Sequence, residues 1–167
     1  MLGLRLLALT TLLFVSCTLA QAQTIYGAEI SVQVLTYDDP AAPILVSEIY
    51  TSRIGAGPEF GLGPEGHPFV DIVPVTLDIG DGGVTLSYDI VGRAGGFTQA
   101  NFNGYILTVS PCSAIIEPQL VQADAIALTP DRISAVENQL FINVAGLAYQ
   151  PQTRIAIGFK LAACPVS

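Results

Sequence analysis

The sequence has few of the side chains on which most catalytic and nucleic-acid-binding sites depend. Its 167 residues include no tryptophan, one histidine and three cysteines, and only six lysines and arginines stand against 14 aspartates and glutamates. A surface with so few cations repels phosphate backbones, which proteins neutralise with clustered lysine and arginine. The composition therefore excludes a nucleic-acid partner and, for the same reason, electrostatic docking on anionic lipid.

The first 22 residues have the three parts of an export signal. Arg5 supplies a positive start, residues 6–15 form an uncharged apolar run, and Ala20-Gln-Ala22 offers small residues to a signal peptidase. The apolar run is shorter than the ~20 residues that span a bilayer. We therefore predict a helical signal peptide at 1–22, cleaved before Gln23. Cleavage after Ala20 and retention as a membrane anchor are the alternatives.

The cysteines agree with export to an oxidising compartment. Removal of residues 1–22 takes away Cys17 and leaves two cysteines, Cys112 and Cys164. An isolated pair in a small exported domain is most simply a disulfide, which here closes a loop of about 50 residues and adds about 4 kcal/mol in the chain-entropy model. Two free thiols and a redox pair remain alternatives, although the close Cys-x-x-Cys spacing of redox pairs is absent. Lipid attachment at Cys17 is a further alternative to simple cleavage.

The rest of the chain, residues 23–167, has the length of one domain and a hydrophobic period of two. Apolar and polar residues alternate in the runs 30–34, 73–79, 84–90, 105–109, 140–144 and 155–161, with weaker candidates at 44–54 and 123–128. This alternation is typical of half-buried strands. No window has the pattern of an amphipathic helix, and 134–138 has room for one helical turn at most. The prediction is an all-β domain of eight to nine short strands.

Turn signals divide these strands at short intervals. Gly80-Asp-Gly-Gly83 joins two strongly alternating runs and predicts a hairpin. The segment 55–68 is so rich in glycine and proline that it cannot be an interior strand, and we predict a long surface loop there. Short strands separated in this way favour an antiparallel β-sandwich, either immunoglobulin-like or jelly-roll-like.

No residue pattern predicts a catalytic or cofactor site. His67 is the only histidine, no Gly-x-Ser-x-Gly elbow is present, and one histidine with two distant cysteines does not form a zinc site. The glycine pairs of 55–63 lack the lysine and the helix of a phosphate-binding loop. We therefore expect no enzyme activity, no cofactor and no metal, and we assign no catalytic, cofactor-binding or metal residue.

Two alternative functions would depend on the acidic residues. A pair of carboxylates about 5–10 Å apart in a cleft would suit a polysaccharide hydrolase. Asp38-Asp39 and the Asp78–Asp81 turn carry the oxygen ligands that calcium prefers, which would suit a calcium-dependent adhesion or carbohydrate-binding module. Neither turn has the spacing of a known calcium loop, and aspartate and glycine also occur in turns for conformational reasons. The turn explanation is the simpler one.

Several segments, read in order, resemble those of small exported bacterial proteins, many of which carry a C-terminal sorting tail of the PEP-CTERM type. The segments are Gly55-Ala-Gly-Pro-Glu-Phe60, Phe102-Asn-Gly-Tyr-Ile-Leu-Thr108, Asp131-Arg-Ile-Ser134, Asn143-Val-Ala-Gly-Leu147 and the closing run 153–161. The resemblance covers roughly residues 50–162. It implies an extracytoplasmic β-sandwich with no assigned catalytic residue, in which Asn103-Gly104 serves backbone geometry. The chain ends Cys164-Pro-Val-Ser167 without such a tail.

These observations together predict a secreted or periplasmic, non-enzymatic protein with a structural or binding role at or beyond the cell envelope. Its partner would be a protein or a glycan, and it would have no contact with the membrane after signal cleavage. The sequence indicates neither the ligand nor the oligomeric state.

Overall fold

A computed structural model describes residues 24–62, 73–110 and 113–163 of the chain. The predicted signal peptide, His67 and the three cysteines lie outside these residues. Thirteen strands occur in the described part, nine of them with four or more residues. They are β1 (Glu29–Tyr37), β2 (Leu45–Val46), β3 (Tyr50–Arg53), β4 (Phe60–Leu62), β5 (Val75–Gly80), β6 (Gly83–Ser87), β7 (Gly95–Gly96), β8 (Phe102–Ser110), β9 (Ser113–Asp124), β10 (Ile133–Val136), β11 (Gln139–Asn143), β12 (Ala148–Tyr149) and β13 (Arg154–Ala163).

The strands form an all-β sandwich of two antiparallel sheets, which confirms the predicted fold class. The first sheet has the order β10-β11-β8-β1-β2, and β3 also pairs with β1. The second sheet has the order β4-β5-β6-β13-β9, and β7 and β12 form a separate two-stranded ladder. At one side of the sandwich the Ile115 amide donates to the carbonyl of Glu137 at 2.7 Å, so that β9 is tied to the β10–β11 turn.

The core lies between the inward faces of the two sheets, as the period-two pattern predicts. In β1, Ile30, Val32 and Val34 are buried, whereas the residues between them are partly exposed. The same alternation places Leu77 of β5 and Leu86 of β6 in the one continuous hydrophobic cluster. Burying each such side chain contributes about 1.5–3 kcal/mol, so this alternation is the main determinant of the sandwich.

The predicted hairpin at Gly80–Gly83 is present. Gly80 pairs with Gly83, so that Asp81 and Gly82 form a two-residue connection between β5 and β6. Gly83 has a φ of +137°, and a Cβ there would lie 1.9 Å from the carbonyl oxygen of Ile157. The Asp81 carboxylate accepts hydrogen bonds from Thr24 Oγ and the Ile25 amide, which fixes the start of the described chain to this turn.

The weaker strand candidates need correction. The run 44–54 is divided into β2 and β3, and Ser47 lies between them. The division arises because the Val34 amide donates its hydrogen bond to the Ser47 hydroxyl, at 2.9 Å, and not to a backbone carbonyl. The candidate at 123–128 is the end of β9, which begins ten residues earlier, and Glu117 within it has a φ of +52°. That irregularity and Pro118 interrupt the alternation and conceal the strand.

Three further predictions differ from the structure. The run 84–90 ends as a strand at Ser87, since a turn closed by the Val91 amide and the Tyr88 carbonyl follows, and Ile90 is 52% exposed. Residues 134–138 form β10 and a turn rather than a helical turn. The predicted loop 55–68 contains β4, which lies at the edge of its sheet, as its glycine content requires.

Glu59 explains why the segment Gly55–Phe60 is ordered despite its composition. One carboxylate oxygen accepts the Gly55 amide at 2.8 Å, and the other accepts the Ile79 amide at 2.7 Å. The side chain therefore closes the turn before β4 and attaches it to β5.

We expect Glu59→Gln to lower the free energy of unfolding by about 1–3 kcal/mol, because one acceptor becomes an NH₂ group that faces an N–H donor. Urea denaturation of purified protein would measure the loss. The matched control is Glu29→Gln, at an exposed position of β1, where the change should stay within about 0.5 kcal/mol. Equal effects for the two variants would contradict the assigned role of Glu59.

Candidate binding cleft

A cleft of about 400 Å³ opens on the outer face of the first sheet, where β1 ends and β8 begins. Outward-facing side chains of β1, β8 and β11 form its floor, and two loops form its walls. The lining residues that matter below are Tyr37, Asn101, Phe102, Asp131, Arg132 and Phe141. The volume lies within the ~300–1,000 Å³ of small-molecule sites.

Three aromatic side chains form the floor. Tyr37 and Phe102 are directly paired in the ladder of β1 and β8, and their rings stack with centroids 5.3 Å apart and planes 15° apart. Phe141 meets Phe102 edge to face, with centroids 6.3 Å apart. Each such contact contributes about 0.5–1.5 kcal/mol beyond the buried area. Phe102 is only 6% exposed although it faces outward, because its two neighbours cover it.

Hydrogen bonds hold the first wall, the loop that contains Asn101, in place. The Asn101 amide donates to the Asp38 carboxylate at 2.9 Å, and its side-chain Nδ2 donates to the Asp38 carbonyl at 2.7 Å. The Asn101 carbonyl in turn accepts Nδ2 of Asn143 at 2.9 Å. The loop is therefore fixed to both β1 and β11. Because it is already ordered, the binding of a ligand would cost less conformational entropy.

The second wall carries one positive and one negative side chain. Arg132 ends the 3₁₀ turn Pro130–Arg132, and its Nη1 donates to the Ala145 carbonyl at 2.8 Å. A hydrogen bond with Thr129 lowers the pKa of Asp131, with smaller contributions from the backbone amide and from Arg132. Asp131 is therefore an acceptor-only carboxylate at neutral pH, next to a guanidinium that only donates.

Three of the five segments named above for their resemblance, 102–108, 131–134 and 143–147, contribute residues to this cleft. The backbone amide of Asn103 donates to Oδ1 of Asn143 at 3.2 Å, and the same oxygen accepts the Ala145 amide at 3.0 Å. Below the floor, the buried Asn103 side chain bonds Thr36 and the Thr98 carbonyl. Asn103 thus joins three chain segments.

A smaller cavity of about 160 Å³ lies between the sheets at the same end. Its polar side chains bond one another, as in the Thr36–Asn103 pair at 3.0 Å. Beside it, the hydroxyls of Tyr88 and Tyr105 lie 3.1 Å apart, and burial raises the pKa of both phenols. The two tyrosines therefore stay neutral, and we interpret this region as core rather than as a binding site.

A second open depression of about 400 Å³ lies on the outer face of the second sheet, at the opposite end of the sandwich. Gly83, Ala156 and Gly158 are among its lining residues, and the exposed side chains of Tyr26 and Val121 flank it. Three of its lining residues carry polar side chains, Tyr26, Asp78 and Thr85, against seven in the cleft on the first sheet. This depression therefore has fewer groups that could orient a ligand than the cleft on the first sheet.

The two candidate calcium turns do not come together. Asp38 follows the end of β1, whereas Asp81 bonds Ile25, which precedes the start of β1. Nine residues of strand, roughly 27 Å, separate them. Within the described parts of the chain, no group of three or more histidine, cysteine, aspartate or glutamate side chains could hold a metal ion. The clustering that would favour calcium is not observed.

Almost all of the described acidic residues are exposed. Of the twelve acidic residues within 24–62, 73–110 and 113–163, eleven are exposed and Glu59 bonds backbone amides. Asp131 is the only acidic residue among those that line the cleft in the described structure. His67 and the pair Cys112 and Cys164 lie outside the described residues, so their predicted roles stay predictions.

The sequence contains a signal for the cleft at two outward strand positions. Tyr37 and Phe141 occupy positions of β1 and β11 where strict alternation calls for outward polar residues. An aromatic residue at such a position either packs on the outer face or contacts a ligand. Arg132 offered no comparable signal.

No family model, curated protein or solved structure matches this chain. In the part of the chain that the structure describes, no helix has the length and hydropathy needed to cross a bilayer.

Proposed function

We propose that this protein is an exported, non-enzymatic domain that binds a component of the cell envelope or its surroundings through the cleft of the first sheet. The observation that carries the proposal is the cleft itself, in which Tyr37, Phe102 and Phe141 form an aromatic floor between polar walls. Aromatic side chains on a rigid sheet with a few fixed polar groups are typical of binding sites. Export is proposed from the signal pattern of residues 1–22.

The non-enzymatic part of the proposal rests on how the described carboxylates are used. Asp38, Glu59 and Asp81 each accept a hydrogen bond from at least one backbone amide. Such carboxylates fix turns and are not placed to exchange protons with a substrate. The cleft itself offers Asp131 without a second carboxylate among its described lining residues.

A disulfide between Cys112 and Cys164 is part of the same proposal. Ser113 opens β9, Ala163 closes β13, and the two are partners in the antiparallel ladder. The cysteines are the next residues along the chain on either side. Directly paired residues of an antiparallel ladder have Cα atoms about 4.5–5.5 Å apart. A disulfide accepts about 4.4–6.8 Å.

Sedimentation with envelopes tests the proposed function. The mature domain, residues 23–167, is mixed with washed cell envelopes and with the insoluble polymers of the culture medium, and the bound fraction is measured after centrifugation. We expect saturable binding by the wild type and a loss of about tenfold in affinity for Tyr37→Ala, since the floor loses its accessible ring. An absence of saturable binding would overturn the proposal.

A further inference from the structure

The cleft combines an apolar floor with groups that both donate and accept hydrogen bonds. Asp131 only accepts and Arg132 only donates, and one donor of this guanidinium, Nη1, is already used by the Ala145 carbonyl. The half-buried Tyr37 ring stacks on Phe102, and Tyr37, Asp131 and Arg132 all line the same cleft. A ligand that matches the cleft therefore needs an apolar face and, around its rim, hydroxyl groups that donate and accept.

The charge of the protein limits the ligand further. The sequence carries 14 acidic against six basic residues, and Asp131 next to Arg132 leaves the described wall without a net positive charge. A polyanionic ligand would meet repulsion from the whole molecule and no excess of cations at the site. A polyanion therefore does not fit the cleft, and one charge of each sign among the described lining residues favours an uncharged ligand.

From these two features we infer that the cleft binds uncharged pyranose units of a polysaccharide. The axial C–H groups of one side of a pyranose form an apolar face that packs on an aromatic ring. The hydroxyls of the pyranose then donate hydrogen bonds to the Asp131 carboxylate and accept hydrogen bonds from the Arg132 guanidinium. This inference rests on the proposed function and names the class of ligand for the same site.

The test is a titration of the mature domain with soluble trisaccharides, in which binding is measured by isothermal calorimetry and by NMR chemical shifts. The neutral probes are cellotriose, maltotriose and triacetylchitotriose, and the charged probe is trigalacturonate. We expect at least one neutral trisaccharide to bind at millimolar or lower concentration, with little change between low and high salt because no charge pair forms. Trigalacturonate should bind more weakly than that neutral trisaccharide.

Three variants locate the binding. Tyr37→Ala should weaken it about tenfold, whereas Tyr37→Phe, which keeps the ring, should stay within about threefold of the wild type. Tyr26→Ala removes a tyrosine that is 52% exposed at the other end of the sandwich and should leave the affinity unchanged. Urea denaturation of each variant checks that the fold is intact.

The inference about sugars and the proposed function can fail separately. Envelope binding that depends on Tyr37 without binding of any neutral trisaccharide would overturn the sugar inference and leave the binding function in place. Tighter binding of trigalacturonate than of the neutral sugars would also overturn it. Neutral-sugar binding that is lost in Tyr26→Ala and kept in Tyr37→Ala would overturn the assignment of the cleft.

Discussion

Gly104→Ala should destabilise the domain by about 3 kcal/mol or more, at the upper end of what overpacking costs. Gly104 lies in β8 opposite Asn143 of β11. A Cβ at this position would lie 1.8 Å from the carbonyl oxygen of Ile142 and 3.0 Å from its carbonyl carbon. Both are backbone atoms, so no side-chain rotation relieves the contact, and two central strands would have to separate.

Urea denaturation measures this effect, with Gly61→Ala as the matched control. Gly61 also lies in a strand, β4, and a Cβ there meets nothing within 4 Å. The control should change stability by no more than about 0.5 kcal/mol. A Gly104→Ala protein as stable as the control would show that β8 and β11 do not approach each other in this way.

Replacing both Cys112 and Cys164 by serine should lower the free energy of unfolding of the exported, oxidised protein by about 4 kcal/mol. The loop that the bond closes is about 50 residues long, and the chain-entropy model assigns that amount to its closure. The ladder partners Ser113 and Ala163 are adjacent in sequence to the two cysteines, which supports the proposed bond.

The intact mass of the protein recovered from the periplasm or the medium tests the bond and the export signal together. We expect the mass of residues 23–167 less two hydrogens. Two thiols that react with an alkylating agent in the unreduced, denatured protein would contradict the disulfide. A protein that retains residues 1–22, or that carries lipid on Cys17, would contradict simple cleavage.

The sequence was sufficient to predict the sandwich because its strongest strands bury one face each. The alternation of Ile30, Val32 and Val34 or of Leu77 and Ile79 is a local pattern, and burial of these side chains is what the fold depends on. β9 was missed because Glu117 adopts a positive φ and Pro118 follows it. That strand depends on pairing with β13, whose paired residues lie 30 to 50 positions away in the chain.

The cleft could not be predicted because it depends on register. Tyr37 and Phe102 are 65 residues apart, and only the pairing of β1 with β8 stacks their rings. The same limit applies to Arg132, which reaches Ala145 through the packing of a short turn on β11. The separation of the two aspartate turns also depends on the fold, because the turns lie at opposite ends of β1.

The central claim is that the cleft of the first sheet is the surface through which this exported domain binds. The most direct measurement is the ratio of envelope-bound Tyr37→Ala to envelope-bound Tyr26→Ala at equal protein concentration below saturation, with both variants shown to be folded. These substitutions remove the same side chain from the two ends of the sandwich. A ratio of about one tenth is expected. A ratio of one or more would contradict the account.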